Sequence, residues 1–265
     1  YILQKIKFTQ NKPIVDKPKF KFKLLDPKFI DFNEFTNINV LEEGVCGGKT
    51  CCIIVEYNHK KYVIKEMGKS MNYGLDYLVI DTLKTKFGLI ELRMKRIRSN
   101  MGLVKKDTTK KSLVGNWEFK EKNCIYCFMD YYDNIGDLGK NKDILKDRQI
   151  KKELYKIRLF DGLFRSSDNI LRNILVSSCK TQLISIDEND IYGKRTNIFN
   201  KNDWCTHINN IDKTIIDEIL EEFDLETKIE LVKRKFVLYG FSDKIEEMTT
   251  RFKNYRDSVY KEIKD

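Results

Sequence analysis

Three groups of residues have the types and spacing to act together on a phosphate. The first lies in "LEEGVCGGKT", Leu41 to Thr50, which ends in the Gly-Lys-Thr of a Walker A loop. That pattern, G-x-x-x-x-G-K-[ST], would place its first glycine at position 43, which is Glu43. The run that follows, "CCIIVEY", is β-branched and aromatic and reads as a strand, whereas a P-loop delivers its phosphate to a helix N-terminus. Gly44, Gly47 and Gly48 are therefore read as a turn between two antiparallel strands, where backbone N–H groups can approach phosphate oxygens with no Cβ in the way. The second group is Lys65 in "YVIKEM", on the same strand face as Val63 and Met67. A lysine flanked by apolar neighbours on a central strand has to find an anion. The third group is Asn173 and Asp187. If residues 173–176 and 182–187 form a hairpin turning at Cys179 and Lys180, symmetry about residue 180 sets Asn173 opposite Asp187. Opposed residues have Cβ atoms about 5 Å apart. Two oxygen ligands side by side suit a hard Mg²⁺ ion bridging the phosphates of ATP.

"YVIK" resembles the V-A-I-K strand of protein kinases, whose lysine follows a glycine loop, and in "RSSDNILRNILV" Asp168 and Asn173 have the spacing of the kinase catalytic loop H-R-D-x-x-x-x-N. On these residues the chain resembles the protein-kinase-like superfamily, in an atypical branch nearer the phosphatidylinositol kinases and the actin-fragmin kinase than ordinary protein kinases. The resemblance runs from about Asn37 through the helices after Asp187. It implies a bilobal α+β fold, with a small antiparallel β lobe carrying one helix and a mainly helical large lobe. It implies that Lys65, beneath the loop of Gly44, Gly47 and Gly48, binds the α and β phosphates of ATP, and that Asp168 accepts the proton of the attacking hydroxyl. Asn173 and Asp187 would hold Mg²⁺. "YCFMDYYDN" resembles the last strand of the small lobe running into the hinge, where backbone groups near Met129 and Tyr131 would meet the adenine. The implied activity is transfer of the γ-phosphate to a hydroxyl, on a protein serine or threonine first, on an inositol lipid second. A pseudokinase that only binds is the further alternative.

Several positions depart from the pattern. Ser166-Ser167 stands where His-Arg would precede Asp168, "SIDEND" replaces D-F-G, no A-P-E follows, and the glycines do not give G-x-G-x-x-G. Position 170, basic in ordinary kinases, is Ile170, with Arg172 a substitute. No helix glutamate stands at the usual distance from Lys65. Asp76, which faces the core, is the first candidate for its acidic partner, with Asp81 on the opposite helix face and Glu91 as alternatives. The basic pair Lys194-Arg195 follows Asp187 closely and suits an anionic acceptor, either an acidic protein or a lipid headgroup.

The elements that must position these residues divide the chain into three. Residues 1–36 are rich in Lys, Phe and Pro and read as an extended arm that packs against something larger. Residues 37–131 form the small lobe, with strands at "INVLEE", "CCIIVEY" and "YVIKEM", the last two joined by a hairpin turn over Asn58 to Lys61. From Met71 the spacing of Leu75, Val79, Leu83 and Phe87 predicts a helix. The basic run from Arg93 to Lys111 reads as a helix end plus a loop, and "NWEFK" and "CIYCFM" as strands. Residues 132–265 form the large lobe, joined to the small one over Tyr131 to Lys140. It reads as mostly helical after Asp147, with one strand pair at "NILVSSCKTQLISID" and amphipathic helices over "TIIDEILEEF", "LVKRKFVLYGF" and "DKIEEMTTRFKNYRDSVYKEI".

With 265 residues the chain can bury a real core, and its 41% hydrophobic and 12% aromatic content excludes disorder. No apolar run approaches the roughly 18 residues of a membrane span. A formal charge of +10 favours anionic partners; nucleic acid is among them, but the basic run lacks a base-stacking aromatic array and is not the favoured reading. Seven cysteines without framework spacing suit a reducing, cytoplasmic compartment, though a signal upstream of Tyr1 would be invisible. Cys124 and Cys127 read as strand cysteines, and the two histidines, His59 in a turn and His207 in a polar stretch, read as solvated. Oligomeric state is not legible.

Overall fold

The computed structural model describes residues 27–40, 52–68, 74–105, 117–164, 170–186 and 211–264. Gly44, Gly47, Gly48, Asp168, Asp187, Lys194, Arg195 and His207 lie outside the described residues.

The architecture is α+β in two lobes. The first is a six-stranded sheet built from β1 (Lys28–Phe29), β2 (Thr36–Val40), β3 (Cys52–Tyr57), β4 (Lys60–Gly68), β5 (Lys95–Lys105) and β6 (Trp117–Asp130), with spatial order β1-β5-β6-β4-β3-β2. Only the β1–β5 pair is parallel. The β3–β4 hairpin closes through Asn58 and His59, both at positive φ (49° and 61°), the geometry of a two-residue turn that matches strand twist. Within β3 burial alternates, with Ile53 and Val55 fully inside. The glycine segment therefore connects two paired antiparallel strands, β2 and β3, as the sequence indicates.

The basic run from Arg93 corrects the expectation of a helix end and loop. Residues 95–105 are the strand β5, paired with β6 along its length, and Ile97 and Ser99 are buried in it. High positive charge hid a strand in which one of the basic residues, Arg96, is itself buried. "WEFK" and "CIYCFM" are parts of one 14-residue strand, β6. The end of the arm is part of this lobe, since Ile30, Phe32 and Phe35 join Ile53, Val55, Ile64, Tyr126 and Phe128 in one apolar cluster.

Helix α1 (Leu75–Lys84) follows β4 and is shorter than the periodicity predicts: Thr85–Phe87 is a 3-10 turn, stopped by Gly88 at φ 69°. After β7 (Asn134–Asp137) and α2 (Arg148–Phe164) come β8 (Ile174–Ser177) and β9 (Leu183–Ser185), then α3 (Lys213–Phe223), α4 (Leu225–Leu238) and α5 (Ile245–Lys264). β7 pairs with β8, so the polar stretch after Tyr131 already belongs to the large lobe. Asp147 caps α2 by accepting the N–H of Gln149 at 2.7 Å, and Asp212 caps α3 by accepting that of Thr214 at 3.0 Å. The helical core takes in α1 as well, through Val79, Ile80 and Leu83, with Phe87 packed edge-on to Phe160, Phe164 and Phe223. Among the described residues no helix is long and apolar enough to cross a membrane.

Candidate active site

Lys65 stands in β4 between Cys52 of β3 and Cys127 of β6 and is 7% exposed. Its ammonium donates to Tyr77 Oη at 2.9 Å and lies 4.9 Å from the centre of the Tyr77 ring. A buried lysine needs such partners, because an isolated charge in apolar surroundings would give up its proton. Tyr77 is in the first turn of α1, and the entry to that turn is tight. Gly74, at φ 78°, would put a Cβ 2.8 Å from Cys127 Sγ, so only glycine lets the helix start this close to the sheet.

The Cys127 thiol reports on the charges around it. Burial pushes it up to about 12, the Asp76 carboxylate adds to the rise, and Lys65 and Arg96 oppose it. Asp81 also raises it, so the sulfur feels both candidate carboxylates for the acidic partner of Lys65, Asp76 more strongly than Asp81. Cys124 is a strand thiol too, raised to about 11 by burial and the nearby Glu66 carboxylate.

Asp81 is not on a polar helix face. It is 1% exposed, and its two carboxylate oxygens accept the N–H groups of Leu92 at 2.7 Å and Met94 at 2.8 Å. The reason is that α1 is covered on one side by the sheet and on the other by the helical lobe, which leaves that position no solvent. Glu91 sits at the join between the lobes, where its carbonyl takes the Tyr132 hydroxyl at 2.8 Å.

Around Met129 and Tyr131, where the hinge is expected, most backbone N–H groups are already bonded. Met129 is buried in β6 opposite Val63, the Asp130 N–H is spent on Leu92 O at 2.9 Å, and the Tyr131 N–H on Lys61 O at 3.3 Å. The Tyr131 carbonyl and the Tyr132 N–H have no hydrogen-bond partner among the described residues, which makes them the groups an adenine edge could use.

The metal hairpin exists, but its register corrects the expectation. Ile174 faces Ser185 and Val176 faces Leu183, so the centre falls between Cys179 and Lys180 rather than on residue 180. A four-residue connection causes this: Ser177 N–H bonds Gln182 O at 3.1 Å, and Lys180 takes φ 59° within the turn. Asn173 accordingly meets Ile186, whose N–H donates to the Asn173 carbonyl at 2.8 Å. Asn173 also ends a 3-10 turn, Leu171–Asn173, so strand alternation does not govern its side chain. Asp187 is one residue beyond Ile186. Asn173 and Asp187 are therefore not opposed across the pair, and the register gives no support to a shared ion between them; an amide oxygen and a carboxylate oxygen are donors of the kind Mg²⁺ takes.

Sequence reasoning missed Tyr77 and Lys84. Lys84 is fully buried and donates to Ser185 O, in β9, at 2.8 Å. The available signal was the spacing of Tyr77, Asp81 and Lys84, which places three polar residues on one stripe of a helix that also carries Leu75, Leu78, Val79, Ile80 and Leu83.

No protein-family model matches the chain, and no curated protein matches it. Among solved structures it is similar to the kinase PK-1 of Cydia pomonella granulovirus, at 17% identity and a TM-score of 0.31, over 57% of this chain and 50% of that one. The match thus spans half the length of that kinase, and so low a score adds no weight to a functional reading. The two-lobed α+β architecture rests on the strand order and helix packing described above.

Proposed function

We propose that the chain is an ATP-dependent phosphotransferase acting on a hydroxyl group, with a protein serine or threonine as the first acceptor and an inositol lipid headgroup as the second. The observation that carries this is the buried ammonium of Lys65, held by Tyr77 and standing on β4, the second strand after the glycine segment. In this reading Lys65 takes charge from the α and β phosphates, with Gly44, Gly47 and Gly48 offering backbone N–H groups above them. Of the backbone groups near Met129 and Tyr131, the Tyr131 carbonyl and the adjoining Tyr132 N–H receive the adenine. Asp168, between α2 and the 3-10 turn at Leu171, accepts the proton of the attacking hydroxyl. Asn173 and Asp187 hold Mg²⁺, which when bound neutralises phosphate charge. The end of the arm with residues 37–131, and residues 132–265, are the two lobes of the enzyme, and Lys194-Arg195 attracts the anionic acceptor. A reducing, cytoplasmic setting belongs to the same reading.

The test is thermal and kinetic together. ATP with Mg²⁺ at a hundredfold excess over its Kd adds about 2.7 kcal/mol, roughly 5–10 °C for a chain of this size. Lys65→Ala is expected to lose most of that shift. Asp168→Asn, nearly isosteric, is expected to keep it while turnover with labelled ATP and protein or lipid acceptors falls by roughly 10²–10⁴-fold. A wild-type protein whose melting point ignores ATP and GTP, with and without metal, would remove the reading.

A further inference from the structure

The structure assigns a positioning role to one stripe of α1: we propose that Tyr77, Asp81 and Lys84 together set where Lys65 stands relative to Asn173. This rests on the phosphotransferase reading, since it concerns the phosphate lysine and one metal ligand of the same site.

The three residues follow the four- and then three-residue steps that keep side chains on one helix face. They are 4%, 1% and 0% exposed, yet each is polar. Each also reaches a different element. Tyr77 Oη holds Lys65 Nζ of β4 at 2.9 Å. Asp81 holds the N–H groups of Leu92 and Met94, where the chain enters β5, at 2.7 and 2.8 Å. Lys84 Nζ donates to the Ser185 carbonyl of β9 at 2.8 Å and lies 3.8 Å from Asp81 Oδ1. The residue after Ser185 is Ile186, whose N–H fixes the Asn173 carbonyl at 2.8 Å. A short chain of bonds therefore runs from Lys65 through a single rigid helix to Asn173, crossing from one lobe to the other.

Cohesion alone does not call for this stripe. Val79, Ile80 and Leu83 already anchor α1 in the helical core, and a buried ion pair costs so much desolvation that apolar residues of similar volume often stabilise as well or better. Directional bonds do what apolar contacts cannot: they fix three separate strands at defined distances from one helix. The lysine and the metal ligand sit in different lobes, and their separation must match the span between the α/β phosphates and the bridging ion.

Two variants test the stripe, with hydrogen exchange and ATP titrations at stepped Mg²⁺ as readouts. Lys84→Met removes the ammonium and keeps the stem. It is expected to speed exchange of the Ile186 amide at least tenfold, and to raise severalfold the Mg²⁺ concentration that half-maximally tightens ATP, with metal-free ATP affinity within twofold of wild type. Tyr77→Phe is expected to do the reverse, weakening metal-free ATP binding severalfold with the Mg²⁺ requirement unchanged. Lys84→Gln, which keeps an N–H donor on a shorter stem, replaces the Met variant if that gives too little folded protein, and the same split is required of it. Unchanged exchange at Ile186, or both variants moving both titrations by one common factor, would overturn the proposal and leave the stripe a matter of stability alone. If wild-type protein binds no ATP, the phosphotransferase reading falls by itself, and the exchange measurement still decides whether Lys84 holds β9 and Asn173.

Discussion

On α1, Asp81 and Lys84 are three residues apart and at most 1% exposed. Between α2 and α3, Arg148, Lys152 and Lys156 reach Glu218 and Glu222 with N–O distances of 2.5 to 3.0 Å, through side chains that are 13% to 58% exposed. Judged by distance, the second set is the better paired. Judged by surroundings, the first matters more, because its carboxylate also satisfies two buried backbone N–H groups and its ammonium a buried carbonyl. Salt and water can replace any partner in the α2–α3 ladder and none in the α1 pair. Proximity of charges thus says little until their alternatives are counted.

The sharpest way to break this comparison is Asp81→Ala. It leaves the Leu92 and Met94 N–H groups and the Lys84 ammonium without their carboxylate, so the expected cost is about 3–5 kcal/mol. That corresponds to a fall in melting temperature of roughly 10 °C or more, measured by calorimetry on the wild type and variant. A loss below about 1 kcal/mol would put Asp81 in the same class as the surface ladder.

A second, smaller effect concerns how α1 is seated. Gly74 and Gly240 both have positive φ, 78° and 83°, but a Cβ at Gly74 would lie 2.8 Å from Cys127 Sγ while one at Gly240 meets nothing within 4 Å. Gly240→Ala is expected to cost the backbone strain alone, about 1–2 kcal/mol. Gly74→Ala adds displacement of the helix start from the sheet, and with it a weaker Tyr77–Lys65 bond, so it should lose more stability and also part of the thermal shift given by ATP. Equal costs at the two glycines would show that the helix entry has slack.

How much of this was legible in the sequence follows from the same distinction. The α+β class, the β3–β4 hairpin and the amphipathic helices of the large lobe announce themselves through local pattern: positive-φ turn residues at Asn58 and His59, and apolar repeats over α3 to α5. Lys65 is visible because a lysine inside an apolar strand is out of place. β5 reads as a helix end and loop because basic residues dominate it and Ile97 is the one large apolar side chain buried among its described residues; what makes it a strand is β6 beside it, a long-range partner. The hairpin register failed for a different reason. A turn of four residues and one of five have similar composition, and a difference of one residue moves every partner across the pair. Helical periodicity puts Asp81 on the face opposite the apolar stripe, but α1 is enclosed from two sides, so that face has no solvent.

The smallest expected effect is at the ladder, and it sharpens the comparison through salt and pH. Burial pushes the Glu222 carboxyl up, but hydrogen bonds from Lys152 and Lys156 outweigh this and leave it below its ordinary 4.5. A carboxyl lowered by folding contributes stability that is fully present above its unfolded value and is lost as the pH falls through its folded one. Glu153 has the opposite sign: burial raises it above 4.5, so its contribution is lost as the pH rises through that raised value, and the two partly cancel. Glu222→Gln should therefore cost only about 0.2–1 kcal/mol at neutral pH and low salt, measured by urea unfolding. The difference from wild type should shrink as the pH falls through the lowered folded value, where the wild-type carboxyl is itself becoming neutral, and also at about 1 M salt, where the Debye length is near 3 Å. Asp81→Ala should keep most of its cost in the same high salt, because no ion reaches that site. A Glu222→Gln penalty that persists undiminished in salt and acid would mean that the ladder behaves as a buried pair, and exposure would no longer separate the two sets of charges.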